Sequence, residues 1–165
     1  MASCCTVSGS FVRKPLSLLL EPFDQLYPAV ARAEMRVCES FGLAGLGLST
    51  VHFLREFYCP EPDCDCRRVL VQFLPSDGPS RVAASINFGW EKAKYYRKWS
   101  SDPELWREMA GATLEPFAEQ GPNGQLFLKI FKKVIEDRTI VASFRRHYAL
   151  VKRGLELGEG WSAGM

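Results

Sequence analysis

Half of the chain's six cysteines fall inside eight residues, Cys59-Pro60-Glu61-Pro62-Asp63-Cys64-Asp65-Cys66. Thiolates are soft ligands, and three of them supply most of the tetrahedral nitrogen and sulfur shell that Zn²⁺ prefers. Cys64 and Cys66 are two apart, so in an extended chain both sulfurs leave the same face, while Cys59 can fold over from the other side of the turn. Pro60 and Pro62 fix φ and remove two backbone donors, which stiffens the connection before any ligand arrives. The expected cofactor is therefore Zn²⁺ in a structural site, with Cys59, Cys64 and Cys66 as ligands. Competing readings of the trio are a redox-active thiol group and inert thiols in a rigid turn.

A tetrahedral site needs a fourth ligand, and the chain has two histidines. His52 lies seven residues before Cys59 on an expected strand. At about 3.3 Å per residue its ring sits roughly 20 Å from the tip, so it reads as a sheet residue. His147, in Phe144-Arg145-Arg146-His147-Tyr148, completes a site of three cysteines and one histidine if the C-terminal helix crosses the sheet and reaches the hairpin. Alternatives for that position are Cys38, an oxygen from Asp63 or Asp65, water, or no metal at all. His147 can equally be a partly exposed residue on a basic helix face. Arg67 and Arg68 follow the cluster and either offset the charge of three thiolates or are plain strand-end arginines.

Three regions must position these groups. Phe23, Leu26, Tyr27, Val30, Ala33 and Val37 recur at spacings near three and four, which predicts a helix from about Asp24 to Cys38, with Pro28 near its first turn and a break at the Gly42 to Gly47 stretch. The middle reads as β: Ser49 to Tyr58, Arg67 to Leu74 and Arg81 to Phe88 are rich in β-branched and aromatic residues and are separated by turn residues. The third region is helical. Asp102-Pro103-Glu104 is an N-cap, N1 and first-turn sequence. A further helix runs from Gln125 to about Lys152, with a break near Asp137. The expected fold class is α+β: a three-stranded antiparallel meander packed by N-terminal and C-terminal helices, with the cysteine knuckle at the tip of the first hairpin.

Composition bounds the remainder. With 165 residues, 47% hydrophobic and 24% charged, the chain can bury a sizeable core and is not a disordered polymer. The expected organisation is a flexible leader over 1–14, a single domain over 15–153 and a flexible tail over 154–165. No run approaches the roughly 20 apolar residues that span a bilayer. The Leu16 to Leu20 stretch is too short for a signal peptide's apolar region. A cytoplasmic, reducing compartment follows, in which cysteines serve as thiols and metal ligands rather than as disulfides. Cys4 and Cys5 in the leader read as incidental thiols.

Charge is uneven. Residues 127–153 hold eight Lys or Arg against Glu136 and Asp137, although the whole chain carries only +2. A second basic cluster interleaves Lys92, Lys94, Arg97 and Lys98 with Trp90, Tyr95, Tyr96 and Trp99. Such a surface can hold phosphates while its rings stack on bases. Its bland counterpart is a solvated segment whose aromatics enter the core and whose lysines snorkel. Catalytic signatures are absent: there is no Gly-rich phosphate loop, no Gly-x-Ser-x-Gly elbow, no His-Glu-x-x-His helix and no zinc deaminase pattern. A metalloenzyme would need an open zinc position with Glu61, Asp63 or Asp65 carrying protons.

At Tyr58-Cys-Pro-Glu-Pro-Asp-Cys-Asp-Cys-Arg-Arg68 the chain resembles bacterial proteins that carry a Tyr-Cys-Pro-x-Pro-x-Cys-x-Cys cluster. The resemblance covers that hairpin. It implies a bacterial cytosolic metal-binding domain, with Cys59, Cys64 and Cys66 as ligands, and supplies neither a fourth ligand nor an activity. The functional expectation is a noncatalytic protein-interaction or adaptor domain with an unidentified protein partner. The rivals are a nucleic-acid binder using the basic aromatic surface and a metalloenzyme.

Overall fold

The structure, a computed structural model, describes residues 20–156. Three expected strands, β3 (Val51–Tyr58), β4 (Arg68–Pro75) and β5 (Ala84–Gly89), pair consecutively and antiparallel. They form the centre of a six-stranded sheet rather than the whole of it. The additional strands are β1 (Glu21–Pro22) and β2 (Arg36–Glu39), both on the free edge of β3, and β6 (Gly111–Leu114), beside β5. At two to four residues each, they carry too little alternation to be seen in the sequence.

The single helix expected over Asp24 to Cys38 is corrected. The chain forms α1 (Phe23–Leu26), restarts as α2 (Pro28–Glu34) with proline at its first position, and leaves at Met35 with ψ of 125°. Residues 36–39 then pair with β3, Val37 opposite Phe53 and Cys38 opposite His52. Val37 and Cys38 satisfy the helical spacing but are recruited by the open edge of β3, where tertiary pairing decides. The glycine-rich stretch after them is a 3₁₀ segment, Phe41–Leu46.

Helix signals in the second half hold. Asp102 caps α3 (Pro103–Met109), its side chain accepting the Glu104 N–H at 2.9 Å. The long C-terminal helix breaks at Asp137 into α4 (Gly124–Val134) and α5 (Arg138–Glu156). Asp137 Oδ1 accepts both the N–H and the hydroxyl of Thr139 at 2.8 Å, capping the second piece. Because α5 continues to Glu156 and buries Gly154, the expected tail does not begin at 154. The leader over 1–14 and residues 157–165 lie outside the described residues.

Both long helices lie on the sheet face that carries Leu54, Tyr58, Val69, Val71, Phe73, Ala84, Ile86 and Phe88. Phe127 and Phe131 of α4 meet Phe73 at ring separations of 5.3 and 6.2 Å, and Phe144 of α5 meets Phe88 at 6.1 Å. Phe73, Phe131 and Phe144 are fully buried, and each burial contributes about 1.5–3 kcal/mol. The aromatic layer thereby fixes α5 along the sheet and sets which of its side chains reach the cysteine hairpin. No helix among the described residues is long and apolar enough to cross a membrane.

Candidate metal centre

The knuckle starts where β3 ends. Cys64 N–H donates to the Glu61 carbonyl at 3.2 Å, closing a turn with Pro62 at its second position. From Asp63 to Cys66 burial alternates, with both aspartates exposed and both cysteines buried, as an extended segment requires. Cys59 is also buried, and the ligand atoms of Cys59, Cys64 and Cys66 lie within 4.8 Å of one another. A tetrahedral zinc with sulfurs at about 2.3 Å sets those sulfurs about 3.8 Å apart, so the trio fits such an ion. No other His, Cys, Asp or Glu among the described residues joins the group.

The chain turns sharply after the third cysteine. Arg67 has φ of 47°, the only positive value at a non-glycine among the described residues. A left-handed arginine costs of order 1–2 kcal/mol and persists only where its surroundings determine it. Those surroundings are clear. Its guanidinium bonds both oxygens of Asp65 at 3.1 Å and Glu91 at 3.2 Å, and its carbonyl accepts the Tyr96 hydroxyl at 3.1 Å. Burial would raise the Asp65 pKa, but the bonds from Arg67 and Tyr95 outweigh it and hold the carboxyl below its ordinary value. Asp65 is therefore a charged brace for the turn.

Helix α5 grips the knuckle by its main chain. Lys152 Nζ donates to the carbonyls of Cys59 at 3.1 Å and Glu61 at 2.6 Å, and the Tyr148 hydroxyl donates to the Cys64 carbonyl at 3.2 Å. Burial first, then the neighbouring Cys66, pushes the Tyr148 hydroxyl far above its usual range and keeps it a neutral donor. The Lys152 ammonium and Arg67 also bring positive charge to a centre whose thiolates would be net negative with Zn²⁺ bound. Sequence reasoning missed Tyr148 and Lys152, which follow His147 on one helix at spacings of one and five.

His147 is not with the thiols. Its ring is buried and stacked on Phe23 at 4.1 Å, Nδ1 lies 2.7 Å from Glu56 Oε2, and Nε2 lies 3.0 Å from Glu34 Oε2. Glu56 Oε2 also accepts the Tyr58 hydroxyl at 2.6 Å, and Arg146 pairs with Glu34. Burial alone would lower the His147 pKa, yet the bonds and charges of Glu56 and Glu34 outweigh it and raise the pKa above 6.5. The expected C-terminal helix does carry His147, but the ring is buried rather than partly exposed on a basic face. Spacing could not show that two carboxylates, one from α2 and one from β3, take both ring nitrogens. Cys38 is equally remote in the fold, on β2 opposite His52, and burial raises its pKa. His52 is the sheet residue the spacing predicted, paired with Pro75 at the opposite end of β3.

The basic aromatic cluster divides. Lys92, Lys94, Arg97 and Lys98 are exposed, whereas Tyr96 is fully buried and cannot stack on a base. Tyr95 is covered by the chain's own cations, with Arg67 at 4.6 Å and Lys98 at 4.0 Å from its ring centre, and its hydroxyl bonds Asp65 at 2.7 Å. Both tyrosines thus brace the turn after Cys66. Compared with protein-family models, with curated proteins and with solved structures, the chain finds no match, so the reading of its function rests on the site itself.

Proposed function

We propose that Cys59, Cys64 and Cys66 bind one Zn²⁺ and that the protein is a noncatalytic, zinc-stabilised protein-interaction domain. The observation that carries the metal reading is the convergence of three buried cysteine sulfurs at a proline-stiffened tip. Zinc supplies cross-linking there: it ties the end of β3 to the start of β4, while Tyr148 and Lys152 tie that same tip to α5. The fourth position belongs to a group outside the trio, because His147 is held by Glu34 and Glu56. The interaction role is supported by Met35, Val37, Phe41 and Leu46, which expose large apolar surfaces within residues 35–46.

Cobalt substitution tests the metal reading. Three thiolates around Co²⁺ give strong sulfur-to-metal charge-transfer absorption and tetrahedral d–d bands. Cys64→Ser should weaken both and His147→Gln should leave both intact. A cobalt spectrum with no thiolate bands would overturn the assignment.

A further inference from the structure

Strand β3 has a split edge. β2 pairs with positions 51–54 and β1 with positions 57–58, so Arg55 and Glu56 have no strand partner on that side. A cavity of about 350 Å³ opens at this gap, within the size range of small-molecule pockets. Its walls are mostly apolar, including Phe23, Ala31, Met35, Phe53, Leu54 and Leu74. The polar groups facing it are Asp24, Glu34, Arg55, Glu56 and His147.

Hydrogen-bond donors and acceptors around the cavity are unequally used. The buried donors are committed: both His147 nitrogens bond glutamates and the Tyr58 hydroxyl bonds Glu56, while the part-exposed Arg55 turns Nε and Nη2 to the two oxygens of Asp24 and keeps Nη1 free among the described residues. Acceptors are in surplus. Glu34 and Glu56 make all of their hydrogen bonds through Oε2, and among the described residues neither Oε1 accepts one. Glu56 is 7% exposed and lines the cavity, and its Oε1 keeps some accessible surface. An oxygen that lacks a protein donor yet keeps accessible surface is satisfied by whatever enters beside it. With His147 as the imidazolium, Asp24, Glu34 and Glu56 face Arg55 and His147 around the cavity, and Arg146 pairs with Glu34 from outside its lining.

We infer that this cavity is a binding site for a small organic ammonium ion, a primary amine with an apolar body, whose N–H groups donate to Glu56 Oε1 and Glu34 Oε1 while its body packs on Phe23, Phe53 and Leu74. The site is separate from the thiol centre and does not depend on a bound metal. An ammonium provides donors to the two Oε1 atoms that have none, and the apolar walls strengthen its attraction to the carboxylates.

Calorimetric titration of the full-length chain with phenethylamine, phenethyl alcohol and hydrocinnamate tests this. The amine should bind saturably with one site, the alcohol at least about tenfold more weakly, and the carboxylate undetectably. Glu56→Gln should weaken amine binding by about tenfold or more, and Ala31→Phe, which fills the cavity from α2, should abolish it without lowering the melting temperature. Equal affinity for amine and alcohol would overturn the inference. So would unchanged amine binding in Ala31→Phe, or no saturable binding of the amine at all.

Discussion

Lys152 Nζ lies 3.1 Å from the carbonyl oxygen of Cys59, so α5 holds the cysteine hairpin by a charged hydrogen bond to its backbone and not by a metal ligand. The same ammonium reaches the Glu61 carbonyl at 2.6 Å, spanning the knuckle's first three residues. Lys152→Met keeps the aliphatic stem and removes both bonds. It should destabilise the fold by about 1.5–3 kcal/mol in urea unfolding, the range for hydrogen bonds to charged groups. It should also speed zinc loss to a chelator. Wild-type values for both measurements would show that α5 does not restrain the tip.

His147 has a structural role that is separable from metal binding. His147→Ala leaves the Glu56 carboxylate buried without its imidazole, and breaking a buried pair costs about 3–5 kcal/mol. Metal content per folded chain should nevertheless equal the wild type, since His147 stands outside the sulfur group. Loss of metal from an otherwise folded His147→Gln protein would return His147 to the ligand set.

The same ring predicts a pH dependence. The folded pKa of His147 is raised above 6.5, so its contribution is fully present below about 6.5 and is lost as pH rises through the folded value. Above that value the neutral imidazole has one N–H for two carboxylates. Unfolding free energy should therefore fall on the alkaline side in the wild type, and the fall should be smaller in His147→Gln. Parallel pH profiles for the two proteins would contradict this.

Tyr96 distinguishes a core role from a nucleic-acid role for the aromatic cluster. Its hydroxyl donates to the Arg67 carbonyl at 3.1 Å and its ring is fully buried. Tyr96→Phe should cost about 1 kcal/mol and Tyr96→Ala about 3–5 kcal/mol in thermal or urea unfolding. A Tyr96→Ala protein with wild-type stability would place that ring outside the core.

What the sequence revealed depended on how local the signal was. The cysteine trio, the Asp102 cap and the break at Asp137 are set by neighbours within a few residues, and each appears in the structure. Strands β3, β4 and β5 are runs of six to eight residues rich in β-branched and aromatic side chains, bounded by turn residues, and were equally visible. By contrast, β2 exists because the edge of β3 accepts it, and residues 36–39 alone fit a helix as well. His147 fails for the same reason. Glu34 and Glu56 stand 113 and 91 residues before it, and nothing local records that both approach its ring. The left-handed Arg67 is likewise imposed by Asp65, Glu91 and Tyr96.

Elemental analysis of the protein, purified under reducing conditions and without chelators, decides whether the buried sulfurs of Cys59, Cys64 and Cys66 hold a zinc ion. About one zinc per chain is expected, with a clear loss of zinc in Cys64→Ser and Cys66→Ser measured on folded material. Fully reduced wild-type protein that is folded and contains no transition metal would contradict it.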